Sequence, residues 1–202
     1  MTRRAERRAP RIWLLLLLGC AARRSAGPAP PPPAALGFDG TLAIGGRYQG
    51  QRLRARALLV VEPGGRLYFE VYEGPAAVLA CDGERVTSIL VGRREWVEAM
   101  ATPRTMKALV GVPLDPAEIG AILTGAFPEG ERQGVRVSYA APGKIKVEVA
   151  AEKLSLDLTL RAARSKGPPR PAGLFRPEAP ADFRRVAIED FVDPAFLLGG
   201  ER

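Results

Sequence analysis

The chemistry open to this 202-residue chain is limited first by what it lacks. It has no histidine, so the commonest general base and the commonest metal ligand are both missing. Two cysteines are present. Cys81 follows Leu79 and Ala80 and has no imidazole to activate it, which predicts a small buried hydrophobe and not a nucleophile. The carboxylates Glu62, Glu70, Glu73 and Asp157 fall on outward-facing positions or turns and make no paired cleft for acid–base work. Trp96 reads as ordinary packing, with a cavity rim or a membrane interface as the alternative. The residue types therefore point away from an enzyme, with no catalytic residue, no cofactor and no metal site expected.

Covalent modification is expected at Cys20. Five arginines precede the apolar run Ile12 to Leu18, which is too short to span a bilayer needing roughly 20 residues, so residues 1–19 read as a secretory signal. Leu17-Leu18-Gly19-Cys20 resembles the lipobox of bacterial lipoprotein signals. That resemblance implies a diacylglycerol on the Cys20 sulfur, a further acyl chain on its amine, and Cys20 as the mature N-terminus. Several chains anchor stably, since each buried methylene contributes ~0.8 kcal/mol. Cys20 would then be unable to bridge to Cys81, so no intrachain disulfide is expected. Ala21 follows and no aspartate stands there, which places the expectation at the periplasmic face of the outer membrane. Residues 20–36 form the lipidated start and a proline-rich linker, a semi-rigid tether at ~3.1 Å per residue.

The formal charge of +8 falls to +4 without residues 1–19, which hold five arginines and one glutamate. Arg23 and Arg24, beside the anchor, would add about 1 kcal/mol each against anionic lipid. No basic run interleaved with aromatics is evident, so nucleic acid is not an expected partner. Phe38-Asp39-Gly40-Thr41-Leu42 resembles the D-x-D-G-T motif of haloacid dehalogenase phosphatases, but Gly37 stands where the nucleophilic aspartate is needed. Asp39-Gly40 reads instead as a turn.

Residues 37–202 are expected to form one domain, organised around Thr102 to Gly125. Thr102 caps a first short helix with Pro103 at its first position, and Gly111 stops it. Asp115, Pro116, Glu118 and Gly125 give the second helix a capping box and a stop, and Ile119, Ile122 and Leu123 form its apolar stripe. Neither helix is long enough to stand alone, so both must cover an apolar surface.

Around the helices the text alternates with period two. Leu53, Ala55, Ala57, Leu59 and Val61 oppose Arg52, Arg54 and Arg56, and Leu67, Phe69 and Val71 oppose Tyr68, Glu70 and Tyr72. Pro63-Gly64-Gly65 marks a hairpin and Asp82-Gly83 a type I′ turn. Further strands are expected at Phe38 to Tyr48, weakened by its glycines, and at Ala76 to Cys81, Val86 to Val91, Arg93 to Ala99, Val135 to Tyr139, Lys144 to Val149 and Lys153 to Arg161. Lys166 to Pro171 reads as a proline-rich crossing, and Arg184 to Phe191 as a final edge strand. About nine half-wet strands with two short helices predict a mainly β (α+β) fold: a strongly curved antiparallel sheet, an unclosed half-barrel with a two-helix lid. Its inner face would be lined by Leu59, Val61, Leu67, Phe69 and Val71, with Leu156 and Leu158 beyond them. The lid would add Ile119, Ile122 and Leu123.

Leu109-Val110-Gly111-Val112-Pro113-Leu114, followed by Ile122-Leu123-Thr124-Gly125 and Pro128, resembles the central helical segment of the LolA/LolB superfamily, across about Phe38 to Arg161. Those proteins are the periplasmic carrier and outer-membrane receptor of lipoprotein trafficking. The resemblance implies a LolB-like lipoprotein with an apolar cavity for the acyl chains of lipid or lipoprotein cargo, supplied by a periplasmic carrier protein. The receptor's protruding apolar loop has no counterpart, because Glu73-Gly74-Pro75-Ala76-Ala77 is short and lacks a large apolar tip. Two readings follow: an outer-membrane-anchored lipid or lipoprotein transfer protein, or an envelope scaffold lipoprotein of the same fold with a filled core.

Overall fold

Alternation of apolar and polar residues runs through nearly every segment from Phe38 to Arg164, and those segments are strands in the computed structural model, which describes residues 37–73, 76–164 and 170–191. Six strands come first: β1 (Phe38–Tyr48), β2 (Gln51–Glu62), β3 (Arg66–Glu73), β4 (Ala77–Asp82), β5 (Arg85–Leu90) and β6 (Glu95–Met100). Helices α1 (Pro103–Val110) and α2 (Pro116–Thr124) follow. The chain returns through β7 (Gly130–Arg132), β8 (Val135–Ala141), β9 (Lys144–Val149) and β10 (Leu154–Arg164), and ends its described part with β11 (Arg184–Arg185). The signal, Cys20, the linker, the Gly74-Pro75 turn, most of the proline-rich crossing and the tail beyond Phe191 lie outside the described residues.

All eleven strands join one sheet in the order β11-β6-β5-β4-β3-β2-β1-β10-β9-β8-β7. Every pairing is antiparallel except that of β11 with β6, and the sheet does not close on itself. Two meanders are thus joined by one long-range ladder, in which β1 pairs with β10 from Phe38↔Arg164 to Tyr48↔Leu154. The sheet also bends. Side chains from six consecutive strands, β4 through β9 in sheet order, line one small void beneath the helices. Laid flat, those strands would extend roughly 24 Å across, so converging on one void requires curvature.

The helices lie against the face that carries the buried alternation, and the capping signals act as the sequence predicts. Thr102 Oγ1 accepts from the Thr105 N–H, and Gly111 closes α1 at φ 75°. Asp115 Oδ1 accepts from the Glu118 N–H while Glu118 accepts from the Asp115 N–H, completing the box. Such a cap contributes about 1 kcal/mol, which matters in a helix this short.

Four expectations need correction. Asp39 and Gly40 lie inside β1, paired with Val60 and Leu59, because both neighbouring strands run past them. Asp82 keeps a negative φ, so its turn is not type I′; its carboxylate instead accepts from the Glu84 and Arg85 N–H groups. β6 begins only at Glu95, since Val91–Arg93 forms a 3-10 turn that Arg94 ends in the left-handed region. The last strand shrinks to Arg184–Arg185 and pairs in parallel, because a turn from Ala187 redirects the chain at Phe191. The short β7 was not anticipated, as Gly130-Glu131-Arg132 has no apolar alternation to mark it.

The C-terminal stretch straps the β6 edge. Phe175, 1% exposed, packs on the outer face by β3 and β4 with the Arg66 guanidinium 4.2 Å from its ring centre. Phe191 belongs to the main core instead. Between them Arg176 and Arg185 reach Glu98, Arg184 pairs with Glu95, and Arg185 stacks over Trp96 at 5.0 Å, so Trp96 is a strap contact.

Gly46 is where the central ladder tolerates least change. Its φ is +141°, and a Cβ there would stand 2.0 Å from the Ser155 carbonyl oxygen. Gly46→Ala is expected to lower unfolding free energy by about 3 kcal/mol or to prevent folding, read by urea titration.

Candidate functional site: an apolar cavity under the helices

Between the bent sheet and the helix pair lies a void of about 110 Å³. Its floor is built from alternate residues of neighbouring strands: Leu42 and Ile44 of β1, Leu59 of β2, Leu67 and Phe69 of β3, and Leu156 and Leu158 of β10. Leu79 and Val147 extend it at either side. Register explains the convergence, since Ile44 pairs with Leu158 on one side, and Leu59 with Phe69, which in turn pairs with Leu79. The roof comes from Met106 and Val110 of α1, Val112 of the connection, and Ile119, Ile122 and Leu123 of α2.

Eight of the ten residues expected to line a cavity do so. Val61 does not. It supports α2 from below at Gly120, where a Cβ would come within 3.3 Å of Val61 Cγ1, so glycine lets the helix settle onto β2. Val71 is also buried but stands between Ala57 and Ala77 in the ladder, off the lining. Alternation identifies the face of a strand, whereas position along the strand decides who reaches the void. Leu42, Ile44 and Leu79 carried the same inward alternation and were missed because the neighbouring glycines and short strands weakened it. Met106 and Val110, four apart on α1, carried a helical signal for the same wall.

Every lining side chain is hydrocarbon or thioether, and none titrates. Ionisable groups lie elsewhere; of the carboxylates singled out in the sequence, Glu62, Glu70 and Glu73 are engaged and Asp157 is exposed on the outer face of β10. Glu62 holds Arg66 at 2.8 Å, Glu73 holds Arg56 at 3.1 Å, and Glu70 accepts from the Tyr68 hydroxyl. Burial, reinforced by that bond to Glu70, pushes the Tyr68 hydroxyl up to about 12. Cys81 is fully buried, and burial raises its thiol to about 11, which leaves it protonated and inert at neutral pH. Asp39, the residue in the phosphatase-like string, is paired with Arg170. Among the described residues no group of three or more carboxylates, histidines or cysteines could hold a metal ion, and no helix is long and apolar enough to cross a membrane.

The roof is held on by few polar links. The Tyr139 hydroxyl of β8 donates towards the carbonyls of Phe127 at 3.0 Å and Ile122 at 3.4 Å, tying down the end of α2. Lys107 reaches Glu152 at 2.7 Å and Arg132 approaches Glu118 at 3.6 Å, both partly exposed pairs worth at most about 1 kcal/mol. The tip of the β2–β3 turn adds a steric stop, since Gly65 at φ +79° lies against Pro116 and Ala117. Most of the attachment is therefore hydrophobic contact, which slides and reforms more easily than a bonded network.

No family model matches this chain, and no curated protein sequence matches it.

Removing the Tyr139 hydroxyl isolates the polar share of roof attachment. Tyr139→Phe is expected to cost about 1 kcal/mol of stability and to speed amide exchange in 116–124 more than in the β1 ladder. Equal change throughout would show that the bond supports the whole fold and not the roof.

Proposed function

We propose that this protein is an outer-membrane-anchored lipoprotein whose cavity binds lipid acyl chains, acting in lipid or lipoprotein transfer in the manner of the LolB-like proteins its helical segment resembles. The observation that carries the reading is the void of about 110 Å³ bounded wholly by apolar side chains from the sheet and both helices. A filled scaffold has no need of such a space, and an enzyme needs polar groups facing its cleft. The anchor belongs to the same proposal and rests on the Leu17-Leu18-Gly19-Cys20 sequence.

The resting volume sets how the site works. A dry apolar void of ~150 Å³ takes one benzene, so this one takes the end of an acyl chain and no more. A chain of about 16 methylenes, worth on the order of 12 kcal/mol against water, enters only if the helices lift from the sheet. Against a bilayer the net preference is near zero, because the competing environment is equally apolar. A roof of two short helices held mainly by apolar contact suits repeated loading and release. No covalent step is involved, and the cargo would pass between this protein and a periplasmic carrier.

The cavity is tested by native mass spectrometry of the chain from Ala21 onward, with displacement of a fluorescent fatty acid as a second readout. Co-purifying lipid and saturable displacement are expected. Ile122→Asp, which puts a carboxylate at a roof position only 3% exposed, should abolish uptake. Repeated absence of lipid and of dye uptake would favour the scaffold reading.

The anchor is tested separately. Cys20→Ala should abolish labelling with radioactive palmitate and release the protein from the membrane fraction in a high-salt wash, and palmitate labelling retained in the variant would remove the lipobox reading.

A further inference from the structure

The outer face of the sheet carries a concentration of cations that the cavity does not explain. Most basic side chains of the described residues are tied to carboxylates, as in the strap around Glu95 and Glu98. Seven described side chains are not: Arg104 on α1, Lys153 in the turn before β10, and a group of five, Arg47, Arg52, Arg54, Arg161 and Lys144, that all lie on the outer face of the four consecutive strands β2, β1, β10 and β9. Arg47 and Arg52 are direct cross-strand partners, and Arg54 follows on the same face opposite side-chain-free Gly45. Like charges directly opposite destabilise a sheet, so folding alone does not account for this arrangement.

The other charged groups facing this patch leave it basic. Arg56 is neutralised by Glu73 and Lys146 by Glu148, whose carboxyl is held below its usual value by that lysine. Asp39 of β1 is paired with Arg170 and Glu62 of β2 with Arg66, which leaves Asp157, exposed and opposite Gly45 on the far side, as the one carboxylate of these four strands outside an ion pair. Two exposed apolar side chains border the cations: Leu58 at 46% and Tyr72 at 50%. Leu58 pairs with Glu70, and Tyr72 is two residues further along β3.

Shape selects among anionic partners. β2 and β1 are the sixth and seventh of the eleven strands, so they form the crown of the convex side. A convex crown cannot wrap a nucleic-acid strand, but it touches a flat surface with its most protruding residues. Cations flanked by a tyrosine and a leucine match the phosphate layer and the interface just beneath it. We infer that the outer face of β1 and β2, through Arg47, Arg52 and Arg54 with Leu58 and Tyr72 beside them, is a docking surface for an anionic phospholipid bilayer. The fold then turns its cavity side away from the membrane that the crown touches. This surface is independent of the acyl cavity, so losing either binding activity leaves the other readable.

The test is flotation of the full chain with phosphatidylcholine vesicles containing one quarter phosphatidylglycerol, at 50 mM NaCl, beside pure phosphatidylcholine. Residues 1–36 are common to all variants, so differences report the folded face. Replacing Arg47, Arg52 and Arg54 together by Ser should weaken partitioning to the anionic vesicles on the order of 100-fold, about 5-fold per arginine, and leave phosphatidylcholine unaffected. The triple replacement by Lys should retain binding within about 3-fold, because a diffuse headgroup layer needs charge and not bidentate geometry. Should the Ser variant not fold, Arg54→Gln alone, at an exposed position, is expected to give the 5-fold loss. Partitioning unchanged in the Ser or Gln variant overturns the inference. So does preference of the wild-type chain for a single-stranded oligonucleotide or polyglutamate over the anionic vesicles in direct competition.

Discussion

The rest of the structure depends on the ladder between β1 and β10. Two antiparallel meanders, each able to grow by local hairpins, become one sheet only where Phe38–Tyr48 lies down beside Leu154–Arg164. That contact joins residues more than a hundred positions apart, so its loop-closure cost must be met by burial along its whole length. It places Leu42 and Ile44 between Leu59 on one side and Leu156 and Leu158 on the other, fixing the middle of the apolar floor. Gly46 belongs to the same constraint, since the two backbones approach there too closely for any side chain.

From that ladder the division of labour between the two faces follows. Curvature turns one face into a concavity that two short helices can roof, and the same bend pushes β1 and β2 outward as a crown. Inside, hydrocarbon meets hydrocarbon, and the modest void is left because helices of eight and nine residues cannot fill a bay framed by six strands. Outside, cations gather on the central strands, while the edge at β6 is covered by the short β11 and its arginines, with Phe175 holding the strap on β3 and β4. Edge protection of this kind removes a free strand that would otherwise invite pairing with another chain.

The roof is also the element most open to change. Its caps make each helix a defined unit, but its links to the walls are two exposed ion pairs, one tyrosine hydroxyl and apolar contact. Apolar contact with a floor can be exchanged for contact with a ligand at little net cost, which a bonded roof would not permit. The buried Cys81 and the outer Tyr68 hydroxyl stay protonated through neutral pH, so neither adds a charge that would oppose such movement.

The sequence by itself determined the local grammar. Period-two alternation located the main strands and their inward faces, and Thr102, Asp115, Glu118, Gly111 and Gly125 marked both helices to within a residue. These features are local, because steric limits and unsatisfied backbone groups act over a few residues. Tertiary structure alone decided that Val61 supports a helix while Leu59, two residues away, faces the void, and that Phe175 packs by β3 and β4 apart from the main core that Phe191 joins. It also decided that Arg47 stands opposite Arg52 at the crown. Register and curvature come from contacts between segments far apart in the chain, and alternation carries the side a residue faces but not how far along its strand a partner begins.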